Sequence, residues 1–338
     1  MRRIEDLGER RIIEIILNCI DLMPNMPIPF GDDASAIEIN HEKLAVIKSD
    51  MLVGKTDVPP GMNFRQAARK ALVMNISDMA AKGVKPIAAL VSLGVPRGLT
   101  EEDIKQIGQG LNEGAREYNA YILGGDTNEA SDLIISCSIL GIGGKNKFVR
   151  REGAGPGDIV AVTGVFGKAP SGLKILMENL SVSAEIKDVL TEAVLMPRAR
   201  LREGLTLAEM GAATSSIDSS DGLAWSLYEL SKASNVGFLV EEIPIDPEVI
   251  RFAEEYNLDP IELSLYGGEE YELLVTVKPE SWEKAKESIE ELGTPLTRIG
   301  LVTEEKEIIL KTKGRITHIE KRGWEHFKMA KQTSEINL

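Results

Sequence analysis

The chain has 338 residues, 43% of them hydrophobic and 27% charged, the make-up of an ordinary globular protein; its length favours two domains and its composition excludes a disordered or fibrous chain. The formal net charge of -14, from 53 acidic against 39 basic side chains, argues against nucleic acid or an anionic membrane as partner, because both present phosphate surfaces that repel it. A phosphate ligand must therefore be bound locally, and divalent cations would let carboxylates and phosphates share one site.

The opening segment MRRIEDLGERR reads as neither a secretory signal nor a transit peptide. No run approaches the ~18 uninterrupted apolar residues of a membrane helix. Cys19 and Cys137 lack a second Cys or a His at the spacing of a zinc site or redox dithiol, which suits a reducing, cytoplasmic compartment. Along the chain, KLAVIK (43–48) predicts a strand, and FRQAARKALVMNISDMAAK (64–82) carries apolar residues at helical spacing. A second helix is expected over 101–118 after a cap at Thr100. The runs YIL (121–123), LIISCSILGIGG (133–144) and DIVAVTG (158–164) predict strands. Between the last two, RREGAGPGD (150–158) concentrates Gly, Pro and charge, which marks either a domain boundary or a surface loop. Further on, a helix follows SSDG, strands fall near GFLVEE (237–242) and YELLVTV (271–277), and a charged helix covers 280–292. The class is α/β or α+β, with no short-period repeat.

The aspartates carry the functional signal. Asp32 and Asp33 follow Gly31 in a tight turn, Asp50 is placed just past the strand KLAVIK, and Asp126 follows the strand YILGG. Asp218 and Asp221 bracket a strand-to-helix turn, and Glu269 and Glu270 follow two glycines. Strand ends are where α/β proteins build sites. Asp78 is expected at the border of its helix's apolar stripe, near Asn75, either facing water or partnered in the interior. Singly, each of these acids reads as a turn or cap residue. Together, as oxygen-only ligands without a His or Cys cluster, they suit Mg²⁺.

Absent motifs narrow the chemistry. No Walker A sequence exists, although GVFGKAPSG (164–172) has a superficial likeness, and no protein-kinase motif set is present. His41, His318 and His326 share no motif, which disfavours a Ser-His-Asp or Cys-His machine.

The ordered set GDDASAI, KSDMLV, NISDMAAKG, GGDT, RREGAGPGD, IDSSDGL, GGEEYEL and GWEHF resembles the thiamine-monophosphate kinase family, within the superfamily of aminoimidazole ribonucleotide synthetase. The resemblance implies an N-terminal α/β domain (1–150) that binds ATP and Mg²⁺ and dimerises through its mixed sheet. It also implies a C-terminal, ferredoxin-like α/β domain (151–338) that completes the cleft. Carried over by motif, the metal ligands would be Asp33, Ser49, Asp50, Asp78, Asp126, Asp218 and Asp221. ATP would touch Gly125, Asp126, Arg151 and Ser220, and the acceptor would be held by Asp57, Glu269 and Trp324. The implied reaction passes the γ-phosphoryl group of ATP to thiamine monophosphate in a homodimer, with several Mg²⁺ ions and no separate catalytic base.

Three residues depart from the family pattern. Lys48 stands where relatives place a hydroxyl, so one metal site is altered or replaced by a fixed ammonium. Asp57 replaces a frequent His, which leaves either a carboxylate near the thiazolium or a different acceptor. Lys168 replaces a familiar Asp. The rival readings are another ATP-dependent enzyme of the superfamily, or a non-catalytic nucleotide-binding protein. The C-terminal sequence KQTSEINL lacks the Cys expected of the hydrogenase maturation factor, and all the motif aspartates are present.

Overall fold

The computed structural model describes residues 4, 7–312 and 314–327 of the chain. A short amphipathic helix α1 (Glu9–Leu17) precedes a five-stranded sheet made of β1 (Ser35–Glu38), β2 (Lys43–Val53), β3 (Lys85–Val95), β4 (Tyr121–Glu129) and β5 (Ile134–Gly144). Their spatial order is β1-β2-β5-β3-β4. All neighbours are antiparallel except β3 and β4, a parallel pair that needs a crossover. One turn, α2 (Gly54–Asp57), follows β2, and the helices α3 (Phe64–Ala81) and α4 (Glu101–Glu117) complete this half.

Both helices begin where side chains satisfy the orphan amides of the first turn. Asn63 and Gln66 form a capping box on α3, and Thr100 and Asp103 form one on α4. The expected one-sided stripe of α3 is absent: fourteen of its eighteen residues are buried. It lies among the sheet, α4, α7 (Leu201–Met210) and β7 (Ala213–Asp218). Glycines allow this crowding. A Cβ on Gly110 of α4 would stand 2.0 Å from the Arg65 carbonyl oxygen, and one on Gly204 of α7 would stand 1.9 Å from that of Ala80.

The second sheet has seven strands. Besides β7 it contains β6 (Ile159–Thr163), β8 (Gly237–Val240), β9 (Leu273–Val277), β10 (Leu296–Thr303), β11 (Ile308–Thr312) and β12 (Arg315–His318). Their order is β12-β11-β8-β10-β6-β9-β7. Its helices are α5 (Lys168–Glu178), α6 (Ala184–Leu195), α8 (Leu223–Ser234), α9 (Pro247–Glu255), α10 (Pro260–Tyr266) and α11 (Trp282–Glu290). One apolar cluster runs from the first sheet through α3 to Ala161, Leu273 and Val275 of the second. A separate one packs α8 against the other face.

Two expectations about strand ends need correction. β2 runs on to Val53 and β4 to Glu129, so Asp50 and Asp126 lie inside strands, not beyond them. Ladder pairing to β5 and β3 extends each strand past the apolar run that announced it. Among the described residues no helix covers the other face of the first sheet, where Ile37, Ile47, Met51, Leu90, Leu140 and Ile142 are each 39% exposed or more.

Candidate active site

Three carboxylates from distant parts of the chain meet where the two halves join. Asp33 comes from the turn before β1, Asp78 from the last turn of α3, and Asp218 from the end of β7. A ligand oxygen of each lies within 4.8 Å of the others, and all three side chains are buried. Ser77 donates to Asp218 Oδ2 at 2.6 Å, so neighbouring residues of α3 serve the same cluster.

Cations hold this crowd of acids. Lys82, wholly buried just past α3, places Nζ 2.7 Å from Asp32 Oδ1 and 2.8 Å from Asp33 Oδ2, and donates to the Ser216 carbonyl at 2.7 Å. Arg151 donates through Nε to Asp33 Oδ1 at 2.8 Å and through Nη1 to the Gly31 carbonyl at 3.0 Å, and its Nη2 also pairs with Asp33. Lys48 Nζ stands 3.0 Å from Asp78 Oδ2 and 3.1 Å from Asp50 Oδ1. The Asp50 amide donates to Asn75 Oδ1 at 2.9 Å, and Asn75 is itself fixed by the Ala71 carbonyl. Asn75 and Asp78 thus face the interior, with partners.

The electrostatics divide the three acids. Burial alone would raise the Asp33 carboxyl, but Arg151 and Lys82 outweigh it and hold it at about 2. Burial and the Asp33 charge push Asp218 up to about 7. Burial lifts Asp78 well above the carboxylate range, with Lys48 opposing and Asp218 and Asp50 adding to the rise. Asp218 and Asp78 therefore hold their protons more tightly than a free carboxyl does, and Asp33 less tightly.

The loops after β7 and before β9 close one side of the centre. Glu269 N donates to the Ser220 carbonyl at 2.7 Å, Tyr271 N to that of Ser219 at 3.0 Å, and Trp324 N to that of Asp221 at 3.0 Å. Three motifs far apart in sequence become one wall. Glu269 and Tyr271 hold φ of 67° and 54°, in the left-handed region that side chains of their kind rarely adopt, and such strain gathers at functional sites. Burial, then Glu9, lift Asp221 to about 6. Arg10 of α1 approaches Asp221 Oδ2 at 3.9 Å and stacks over the Trp225 ring at 3.7 Å.

Lys70 is a site residue that sequence reasoning missed. Buried on α3, its Nζ lies 2.5 Å from Glu269 Oε1 and donates to the Asp57 carbonyl at 2.9 Å, which brings two of the expected acceptor residues together. The Asp57 carboxylate itself accepts from Val53 N at 2.7 Å. Trp324 is 51% exposed, edge-on to His326 with ring centroids 5.8 Å apart. Lys82 was missed as well. The signal for both was a lysine at a helical position among alanines.

Ser49, Gly125 and Asp126 stand apart from the buried trio. Strand alternation turns Ser49 to the face opposite Asp50, and its hydroxyl pairs with that of Ser138 at 2.9 Å. Asp126 is in register with Ser92, Ser136 and the exposed Met51 on that same outer face. Gly125 lies against Val91, whose carbonyl oxygen would be 1.7 Å from a Cβ there. The Walker-like GVFGKAPSG segment binds the protein's own carboxylate: Gly167 N donates to Glu270, whose carboxyl burial pushes up to about 8.

The donor set fits a hard divalent cation. It is all oxygen, and three buried carboxylates crowd together in it.

Residues 31–143 match the family model for the N-terminal domain of AIR synthase related proteins, and 155–313 that for the C-terminal domain. The thiamine-monophosphate kinase of Pyrococcus abyssi is 41% identical over 298 residues, 88% of this chain and 90% of its own. That of Bacillus subtilis is 34% identical over 314 residues, 90% of this chain and 94% of its own. Among solved structures, AaThiL complexed with AMPPCP and TMP is similar with a TM-score of 0.85 at 27% identity, over 96% of this chain and 99% of that one. The HypE–HypF complex, at 22% identity and a TM-score of 0.72 over 91% and 98%, shares the fold. Both halves match and the identity extends over most of each relative, so the chain belongs to the AIR synthase related family and, within it, to the thiamine-monophosphate kinases.

Proposed function

We propose that the protein transfers the γ-phosphoryl group of ATP to the phosphate of thiamine monophosphate, giving thiamine diphosphate and ADP in a direct in-line step. The observation that carries this reading is the buried, oxygen-only cluster of Asp33, Asp78 and Asp218, in a chain whose relatives are named for that reaction. Asp33, Asp50, Asp78, Asp218 and Asp221 hold Mg²⁺, which would supply fixed positive charge to the phosphate oxygens. Gly125, Arg151 and Ser220 contact ATP. Arg151 is suited to phosphate by its rigid fork of donors, and reaching it means exchanging part of its present hold on Asp33. Glu269, Trp324 and Asp57 bind the acceptor, with Lys70 fixing the first and last of them in place.

A phosphomonoester loses its second proton near pH ~6. The attacking oxygen is then already ionised, and no side chain need act as general base. The chain's contribution is to hold two phosphate groups in line. We assign residues 1–150 to ATP and metal binding and 151–338 to closing the cleft. The uncovered apolar face of the first sheet is assigned to a second copy of the chain, an interface that would include Ser49 and Asp126. A cytoplasmic setting accords with the free cysteines, and among the described residues no helix is long and apolar enough to cross a membrane. The test is incubation with ATP, Mg²⁺ and thiamine monophosphate, with products resolved chromatographically. Equal amounts of ADP and thiamine diphosphate are expected; ADP without thiamine diphosphate, or undiminished turnover in excess chelator, refutes the assignment.

A further inference from the structure

We infer that Lys48 is a built-in cation that takes the place of one divalent ion between Asp50 and Asp78, so that this chain binds one ion fewer than the same site would with a hydroxyl at that position. The inference rests on the proposed magnesium chemistry of the centre, and goes beyond it in assigning one of the positive charges to the protein itself.

The geometry points this way. Lys48 and Asp50 fall in the same every-second-residue row of β2 as the buried Val46 and Leu52, so both project from the strand face that packs on α3. The Lys48 side chain is 19% exposed, and its ammonium bridges carboxylates from two different elements. Its separations of 3.0 and 3.1 Å are those of ammonium hydrogen bonds, about 1 Å longer than the 2.0–2.1 Å of magnesium to oxygen. Seating magnesium between these oxygens would require the ammonium to leave and the carboxylates to close.

The charge count supports the same conclusion. Asp32, Asp33, Asp50, Asp78 and Asp218 surround Lys48, Lys82 and Arg151, which leaves two negative charges when every group is ionised. Lys82 and Arg151 both serve Asp33. Among the described residues neither pairs with Asp50 or Asp78, so Lys48 alone among these cations bridges that pair. With a hydroxyl at position 48, those two carboxylates would face each other in a poorly solvated place, and a metal ion would be the available counter-charge. With lysine there, the charge is covalently tethered and present at any magnesium concentration.

The experiment counts ions. Parent and Lys48→Ser proteins, saturated with a non-hydrolysable ATP analogue, are titrated with Mn²⁺, and bound metal is obtained from the loss of the free-ion electron paramagnetic resonance signal. Lys48→Ser is expected to bind one more Mn²⁺ per chain than the parent. In chelator it should melt below the parent, and Mn²⁺ should raise its melting temperature by more. Should the serine variant fail to fold, Lys48→Met keeps the volume of the stem, removes the charge, and is expected to give the same extra ion. Equal, non-zero counts in parent and variant would show that the lysine leaves when metal enters, and overturn the inference while leaving the metal centre standing. No Mn²⁺ bound by the parent would overturn the metal reading itself, and this inference with it.

Discussion

Neutralising Asp218 separates a metal centre from a set of turn-forming acids. Its carboxyl is raised from 3.8 to about 7 by burial and by Asp33. A carboxyl with a raised folded-state value binds its proton more tightly in the folded chain, so stability is lost as pH rises from about 4 through about 7, and the full penalty is present at pH 8. Three pK units at 1.36 kcal/mol each put that penalty at about 4 kcal/mol. Asp218→Asn removes it, but turns the hydrogen bond from Ser77 into a neutral one and buries an amide NH₂, a cost of about 1–2 kcal/mol. The net gain is then about 2–3 kcal/mol, or about 3–4 °C for a chain of this length at roughly 2.1 cal/mol/K per residue. The assay is calorimetry in chelator at pH 5 and pH 8. Asp218→Asn should melt above the parent at pH 8 and lose that advantage at pH 5. With Mg²⁺ and ATP at one hundred times Kd, the parent should gain about 2.7 kcal/mol by linkage and the variant much less, with turnover reduced by orders of magnitude. A variant that melts lower in chelator at pH 8, keeps its nucleotide-dependent gain and turns over normally would refute the reasoning.

Three further outcomes follow from the same geometry. Leu90, 54% exposed on the helix-free face of the first sheet, should break the proposed dimer when replaced by Asp, halving the mass seen by light scattering; a parent that is already monomeric at working concentrations would count against the interface. Glu270, lifted to about 8, should make metal-free stability fall as pH rises from about 4.5 through about 8, and Glu270→Gln should flatten that slope in melts taken between pH 6 and 9. Asp57→Ala, next to the Lys70–Glu269 pair, should raise KM for thiamine monophosphate while leaving KM for ATP nearly unchanged, and an equal rise in both would remove Asp57 from the acceptor site.

Capping signals and apolar periodicity located the secondary structure well where local chemistry decides it. Helix α4 starts just after its cap at Thr100, as expected, because the cap is local, and β6 and β9 lie within their predicted runs because a buried strand must be apolar throughout. The strand ends were less legible. Asp50 and Asp126 are polar, yet each continues a ladder whose partners are Cys137 and Ser92, and no local signal records a partner that distant in sequence. The aspartate cluster was visible as a set of residue types, and its membership as a family resemblance. Which oxygens meet was not, since Asp33, Asp78 and Asp218 converge only through packing. Ser49 shows the limit: adjacent to Asp50 in sequence, it is turned to the other face by the pleat.

Helix α3 explains how that packing becomes a site. At 3.6 residues per turn, Asn75, Asp78 and Lys82 follow one another at spacings of three and four, and so lie on a common face. That face reaches Asp50, Lys48 and Asp33. Burying three such groups without partners would be costly; here Asn75 fixes a backbone amide, Asp78 meets Lys48, and Lys82 meets two aspartates and a carbonyl. The arrangement requires α3 to be enclosed on every side, which its alanines and the close approach of Gly110 and Gly204 allow. A bulkier residue at either glycine would therefore act on the cluster of Asp33, Asp78 and Asp218 through the position of α3, although neither glycine touches it.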